Sequence, residues 1–219
     1  MIINWHGQSC FEISTNQGNN NPVKIVIDPF EEQYVGLKLP RNLGADIVLV
    51  THEHKDHNNI KRVSGSPFVA QGPGEYDVKA VYIEGISAFH DSSQGKERGD
   101  TTIYTIEAEE MRLCHLGDLG QKELLPEQLE RIGEVDILMI PVGGIYTISA
   151  KEAVKIMSQI EPKVILPMHY KIPGLNIQLE PLDNFLKAVG IKKLESLPKF
   201  SIKAKGLPIE EVKIVALQV

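Results

Sequence analysis

Within the stretch "THEHKDHNN", His52, His54, Asp56 and His57 fall inside six consecutive positions. His52 and His54 lie two apart, so on an extended segment they project to one side, with Asp56 and His57 following in the turn. Imidazole and carboxylate together suit a divalent metal of borderline softness such as zinc, manganese or iron. A solvated polar turn is the competing reading, and it explains one or two such residues more readily than four at this spacing. A catalytic metal needs about three protein ligands and an open position, and a metal pair needs further ligands and a bridging group.

Further candidates each end an apolar, β-like run: Asp28 in "IVIDPF", His90 in "SAFHDSS", Asp118 in "CHLGDLG" and His169 in "LPMHYK". Polar residues that cap apolar strands are what a site at one edge of a sheet requires, since strands hold the ligands while loops shape the pocket. His115 competes with His90, but it lies three residues before Asp118, and an odd offset in a strand turns the two side chains to opposite faces. The offset favours His90, leaving His115 as a supporting or core histidine. His6, after Trp5, reads as packing or surface unless the N-terminal strand approaches the site. Tyr170, next to His169, reads either as a hydrogen-bond donor to a leaving group or oxyanion, or as core. Gly143 and Gly144 in "PVGGIYT" read equally as amides open to a ligand or as a plain turn. The polar, Gly-bearing segment from Asp91 to Asp100 suits a mobile loop over the pocket or a solvated loop.

The elements that must position these residues follow from the pattern. In the first half, β-like runs recur: "CFEIS", "VKIVID", "DIVLVT", "SPFVAQ", "VKAVYIEGISAF", "DTTIYTIEA" and "MRLCHL". "TNQGNNNP", from Thr15 to Pro22, reads as a hairpin or loop. Helices come later: "LPEQLERIG" with Pro126 in its first turn and Gly133 at its end, "SAKEAVKIMSQI" capped by Ser149 with Glu152 three residues on, and "PLDNFLKAVG". They alternate with "VDILMIPV" and "KVILPMHY", which read as buried parallel strands, before a strand-like tail, "EEVKIVALQV". The whole suggests one layered α/β domain, residues 1–219, with a sheet core that is not doubly wound.

Composition sets the limits. The chain has 219 residues, 42% hydrophobic and 24% charged, enough for a substantial core. Its net charge of -6 offers no basic footprint for a dedicated nucleic-acid binder. No apolar run approaches the roughly 18 residues of a membrane span, and "MIINWHGQSC" lacks the charged start and apolar core of a signal peptide. The expectation is a cytoplasmic protein without a membrane partner, open to oligomerisation. Cys10 and Cys114 match no metal or redox spacing and read as buried thiols.

The HxHxDH pattern of "THEHKDH", with "WHGQSCFEI", "VIDPF", "AFHDSS", "HLGDLG", "PVGGIYT" and "MHY", resembles the metallo-β-lactamase superfamily over most of the chain. Within it, the similarity is to the bacterial metal-dependent hydrolases that include relatives of L-ascorbate phosphate lactonase. The resemblance implies a four-layered αβ/βα sandwich. It implies two divalent ions, zinc ahead of manganese or iron, with His52, His54 and His90 on the first, Asp56, His57 and His169 on the second, and Asp118 bridging. Asp28 would orient the histidine-rich turn without binding metal. Gly7-Gln8 stands where that branch often has Gly-His, placing an amide near the entrance instead of an ionisable group.

The implied activity is hydrolysis of an ester, lactone or lactam-type bond in a small molecule by a hydroxide bridging the two metals, with Asp118 positioning it. A phosphodiesterase or ribonuclease acting on nucleic acid ranks second. A non-catalytic protein that keeps metals for stability ranks third, because such proteins tend to lose ligands.

Overall fold

Ile25, Ile27, Ile47 and Leu49 join one apolar cluster, while Val26, Val48 and Val50 join another. Side chains alternate faces along a strand, so the two strands carrying these residues must be covered on both sides. The computed structural model describes residues 1–16 and 22–219 and provides that cover. In chain order the strands are β1 (Ile2–Trp5), β2 (Phe11–Asn16), β3 (Pro22–Ile27), β4 (Ile47–Val50), β5 (Phe68–Gln71), β6 (Gly74–Val78), β7 (Val81–Phe89) and β8 (Asp100–Ala108). There follow β9 (Met111–His115), β10 (Ile137–Pro141), β11 (Val164–Met168), β12 (Ser196–Leu197), β13 (Phe200–Ser201), β14 (Lys213–Ile214) and β15 (Ala216–Leu217). The helices are α1 (Glu32–Val35), α2 (Pro126–Ile132), α3 (Ala150–Ile160) and α4 (Leu182–Ala188).

One sheet has the order β13-β1-β2-β3-β4-β5 and the other β14-β11-β10-β9-β8-β7-β6. Their apolar residues, among them Ile13, Ile25 and Leu49 from the first and Ile83, Ile103 and Leu113 from the second, share a single core. Ile132 of α2, Ile156 of α3 and Phe185 of α4 belong to the same core. The first sheet's other cluster is closed mainly by irregular chain carrying Phe30, Leu39, Leu43 and Val63, with only the four-residue α1. Gly36, at φ 90°, ends α1, and Pro40 and Gly44 follow before another helical turn can form. The αβ/βα sandwich is therefore present with one helical layer reduced.

The paired helix and strand expectations hold in detail. Ser149 caps α3, with Glu152 Oε2 accepting from the Ser149 backbone at 2.8 Å and Ser149 Oγ accepting from Glu152 N at 3.3 Å. β10 and β11 are parallel neighbours, and every residue of both is buried. Two runs divide differently from the sequence reading. "VKAVYIEGISAF" contains a hairpin turn at Lys79-Ala80, both at positive φ, between antiparallel β6 and β7. The tail splits into β14, which pairs with β11, and β15, which pairs with β12. The hairpin expected at Thr15 to Pro22 has antiparallel flanks, but residues 17–21 lie outside the described residues. Among the described residues no helix is long and apolar enough to cross a membrane.

Strand direction is what matters for the site. β7 and β9 both run antiparallel to β8, and β9, β10 and β11 are parallel, so these four end at the same edge. β3 and β4 are also parallel to each other. His90 follows β7, Asp118 follows β9, His169 follows β11, Asp28 follows β3, and the histidine-rich turn follows β4.

Candidate metal centre

Asp28 sets the geometry of the histidine-rich turn. Its Oδ1 accepts from Thr51 N at 2.8 Å, and its Oδ2 accepts from Thr51 Oγ1 and His57 Nδ1, each at 2.8 Å. A carboxylate can only accept, so His57 Nδ1 carries a proton and donates it, which turns Nε2 toward the site. Asp28 is fully buried and adopts φ 49°, and His169 adopts φ 51°. Left-handed backbone at non-glycine residues costs about 1–3 kcal/mol each and persists only where surroundings enforce it. Here Asp28 N donates to Leu49 O at 2.9 Å and His169 N to Gln8 O at 3.0 Å.

Two groups of potential ligands result: His52, His54 and His90, and Asp56, His57, Asp118 and His169, with one donor atom per residue lying within 4.8 Å of the others in its group. Asp118 Oδ2 connects them, at 3.2 Å from His57 Nε2, 3.3 Å from His169 Nε2 and 3.5 Å from His90 Nε2. The rings of His52 and His57 are 4.2 Å apart between centroids, and those of His52 and His90 4.7 Å.

The donors fit a cation. His57 Nε2, His90 Nε2 and His169 Nε2 all face Asp118, and buried His57 Nε2 has no hydrogen-bond partner among the described residues, which costs about 1–3 kcal/mol when left unsatisfied. His52 Nε2 and His54 Nδ1 stand 2.9 Å apart. Burial, reinforced by the His57 charge, lowers the His52 pKa to about 2, so this imidazole is neutral, the form that binds metal. Burial lowers His90 in the same way. His57 behaves oppositely: burial alone would lower it, but the Asp118, Asp56 and Asp28 carboxylates override that and raise it. Burial opposes ionisation of Asp118 too, yet His169 and His57 hold its carboxyl well below the usual range.

The N-terminal turn completes the support. Gln8 Nε2 donates to Asp56 Oδ2 at 3.1 Å, and Ser9 Oγ donates to Asp118 Oδ1 at 3.1 Å. Gln8 is fully buried, so it lies beneath the site and not at its entrance. His115 is separate from both groups: Gly117 N donates to its Nδ1 at 3.1 Å, and its Nε2 donates to Ser9 O at 2.9 Å. His6 is 3.4 Å from Glu12, away from the cluster.

Tyr170 requires a correction. Its ring packs at 4.9 Å on Trp5, and it lines a different cavity with Leu182, Leu194 and Leu217. The core alternative is the one observed. Gly143 also takes the structural role, since a Cβ there would lie 2.1 Å from His169 O. The segment after His90 is tied down: Asp91 accepts from the backbone N–H of Ser93, Gly95, Glu97 and Arg98 at 2.7 to 3.0 Å.

A cavity of about 550 Å³ opens over the centre, lined by His54, Asp56, His90, Asp118 and His169 together with Tyr34, Arg98, Tyr146, Asn176 and Gln178. Sequence reasoning missed Ser9, Arg98 and Tyr146. Tyr146 lies in the quoted "PVGGIYT", but nothing in the local pattern separates it from an ordinary loop tyrosine.

Comparison with known proteins shows the family. A family model described as a Beta-lactamase superfamily domain matches residues 2–169, and the chain belongs to that family. Among its relatives are UPF0173 metal-dependent hydrolases: that of Thermococcus onnurineus is 30% identical over 87% of this chain and 92% of the relative. That of Thermoplasma volcanium is 32% identical over 86% and 92%. A crystal structure of a candidate Zn-dependent hydrolase of the metallo-β-lactamase superfamily from Thermotoga maritima superposes with a TM-score of 0.78 at 37% identity, covering 99% of this chain and 97% of the other.

Proposed function

We propose that this metal-dependent hydrolase cleaves an ester, lactone or lactam-type bond of a small molecule, with two divalent ions, zinc ahead of manganese or iron, as cofactors. The observation that carries the reading is Asp118 Oδ2, within 3.5 Å of His90, His57 and His169 at once. His52, His54 and His90 would hold one ion, Asp56, His57 and His169 the other, and Asp118 would be common to both. Such ions acidify water to a pKa near 7 and stabilise negative charge developing on oxygen.

The protein's own residues prepare that chemistry. Asp28 fixes the His57 tautomer, while Gln8 and Ser9 hold the Asp56 and Asp118 carboxylates from below. Fixed dipoles and charges of this kind need no reorganisation during reaction. The cavity, about 550 Å³, lies within the range typical of small-molecule sites. The lactonase-like motif resemblance ranks a lactone or ester first.

A panel of lactones, a nitrocefin-type lactam, bis-p-nitrophenyl phosphate and short RNA tests the reading with metal-loaded protein. Turnover of a lactone, ester or lactam, abolished by Asp118→Ala in a protein that still folds, is the expected result. Turnover confined to the phosphodiester or RNA, or unchanged in Asp118→Ala, would contradict it.

A further inference from the structure

We propose that Arg98 is the specificity residue of this pocket and binds an oxyanion group, a carboxylate or a phosphate, carried by the substrate away from the bond that is cleaved. The proposal rests on the hydrolytic reading of the neighbouring centre. Arg98 shares the cavity with His54, His90 and Asp118, and its guanidinium lies 5.8 Å from the centroid of the Tyr146 ring. Its side chain is 35% exposed and, among the described residues, donates no hydrogen bond to the protein. Its ion pair, 3.7 Å to Glu97, is with a carboxylate 60% exposed to solvent, and pairs of that kind are weak.

The other charges of the pocket are occupied or largely exposed to solvent. Glu53 accepts from Asn58 and Gln71, Asp56 from Gln8, and Asp118 from Ser9. Lys55 is 66% exposed and 3.9 Å from Glu31. Arg98 is less exposed than Lys55 and lies beside an aromatic ring, and its backbone is held: its own N–H donates to Asp91 Oδ2 at 2.8 Å, the last of the amides wrapped around that buried carboxylate. A guanidinium on a fixed backbone, close to an aromatic ring, keeps its fork of donors free for a planar or tetrahedral oxyanion. The amide, and not the guanidinium, holds the loop, so replacing the side chain leaves the Asp91 contacts in place.

Two measurements on metal-loaded protein test this. First, glutarate and glycerol 3-phosphate are titrated calorimetrically into wild type, Arg98→Lys and Arg98→Gln, with melting curves and metal content checked for each. At least one probe should bind wild type, and Arg98→Gln should weaken it roughly tenfold or more, with Arg98→Lys between. The probe that binds identifies the group. Equal binding by wild type and Arg98→Gln, or no binding by wild type, would overturn the proposal.

Second, 4-nitrophenyl acetate and mono-4-nitrophenyl glutarate are compared as substrates. The ratio of their kcat/KM values should favour the anionic ester in wild type and fall in Arg98→Gln through KM; an equal loss for both esters would show a merely structural residue. Arg98-dependent binding with no turnover of either ester or of the lactones and lactam of the panel would refute the hydrolytic reading while upholding the anion subsite. Hydrolysis with a ratio indifferent to Arg98 would do the reverse.

Discussion

Asp118 Oδ2 lies 3.5 Å from His90 Nε2, and that contact joins two chemically distinct groups into one centre. His90 arrives at the end of β7 with His52 and His54 for neighbours, whereas Asp118 arrives after β9 beside Asp56, His57 and His169. The two strands sit on either side of β8 and run in the same direction, so their ends meet by topology. Ser9 then fixes the Asp118 carboxylate by its other oxygen, leaving Oδ2 turned toward the imidazoles.

Asp28→Asn should lower metal affinity without removing a ligand. Asn presents an amide where the buried carboxylate accepts from Thr51 Oγ1 and His57 Nδ1, forcing the imidazole toward the wrong tautomer or orientation. Loss of such a supporting hydrogen bond costs about ten- to a hundredfold in metal affinity. Competition with a fluorescent chelator measures it, and unchanged affinity would show that Asp28 serves packing alone.

His90 and His115 separate cleanly. His90→Gln should lose metal, because His90 borders both groups. His115→Gln should keep its full metal content and lose stability instead, since its ring packs edge-on against Phe11 and holds Ser9 O. Metal analysis paired with thermal melts decides, and metal loss from His115→Gln comparable with that from His90→Gln would reverse the assignment.

Gly143→Ala should act on His169 from behind. A Cβ placed 2.1 Å from His169 O must push back a backbone already held at φ 51°. Overpacking of this kind costs about 1–3 kcal/mol, and metal affinity should fall with stability. A variant as stable and as well loaded as wild type would show that the contact relaxes freely.

Asp91→Ala should free the loop it organises. The amides of Ser93, Gly95, Glu97 and Arg98 would lose their acceptor and exchange hydrogen faster, while strand amides of β8 keep their protection. Unchanged exchange at these positions would mean that the loop holds its shape by other contacts.

Much of this centre is legible in sequence because its polar residues terminate apolar strands. His52, His90, Asp118 and His169 each stand within three residues of a strand end, where a change from apolar to polar marks an edge. Asp28 is visible for the same reason. Ser9, Arg98 and Tyr146 are not, since each comes from a loop or turn whose approach to the site depends on how distant segments pack. Tyr170 misleads because adjacency in sequence suggests adjacency in space. The left-handed backbone at His169 separates the two side chains, sending Tyr170 to Trp5. The hairpin at Lys79-Ala80 is hidden because it lacks the Asn-Gly or Asp-Gly signal of such turns.

On the proposed reading His52, His54, His90, Asp56, His57, His169 and Asp118 form one centre for two ions. Metal-to-protein stoichiometry by plasma mass spectrometry, on wild type, His52→Ala and His57→Ala purified without added metal, tests it most directly. About two ions per chain are expected in wild type, with a clear loss in each variant. Wild type with no metal, or variants that retain the full complement, would contradict it.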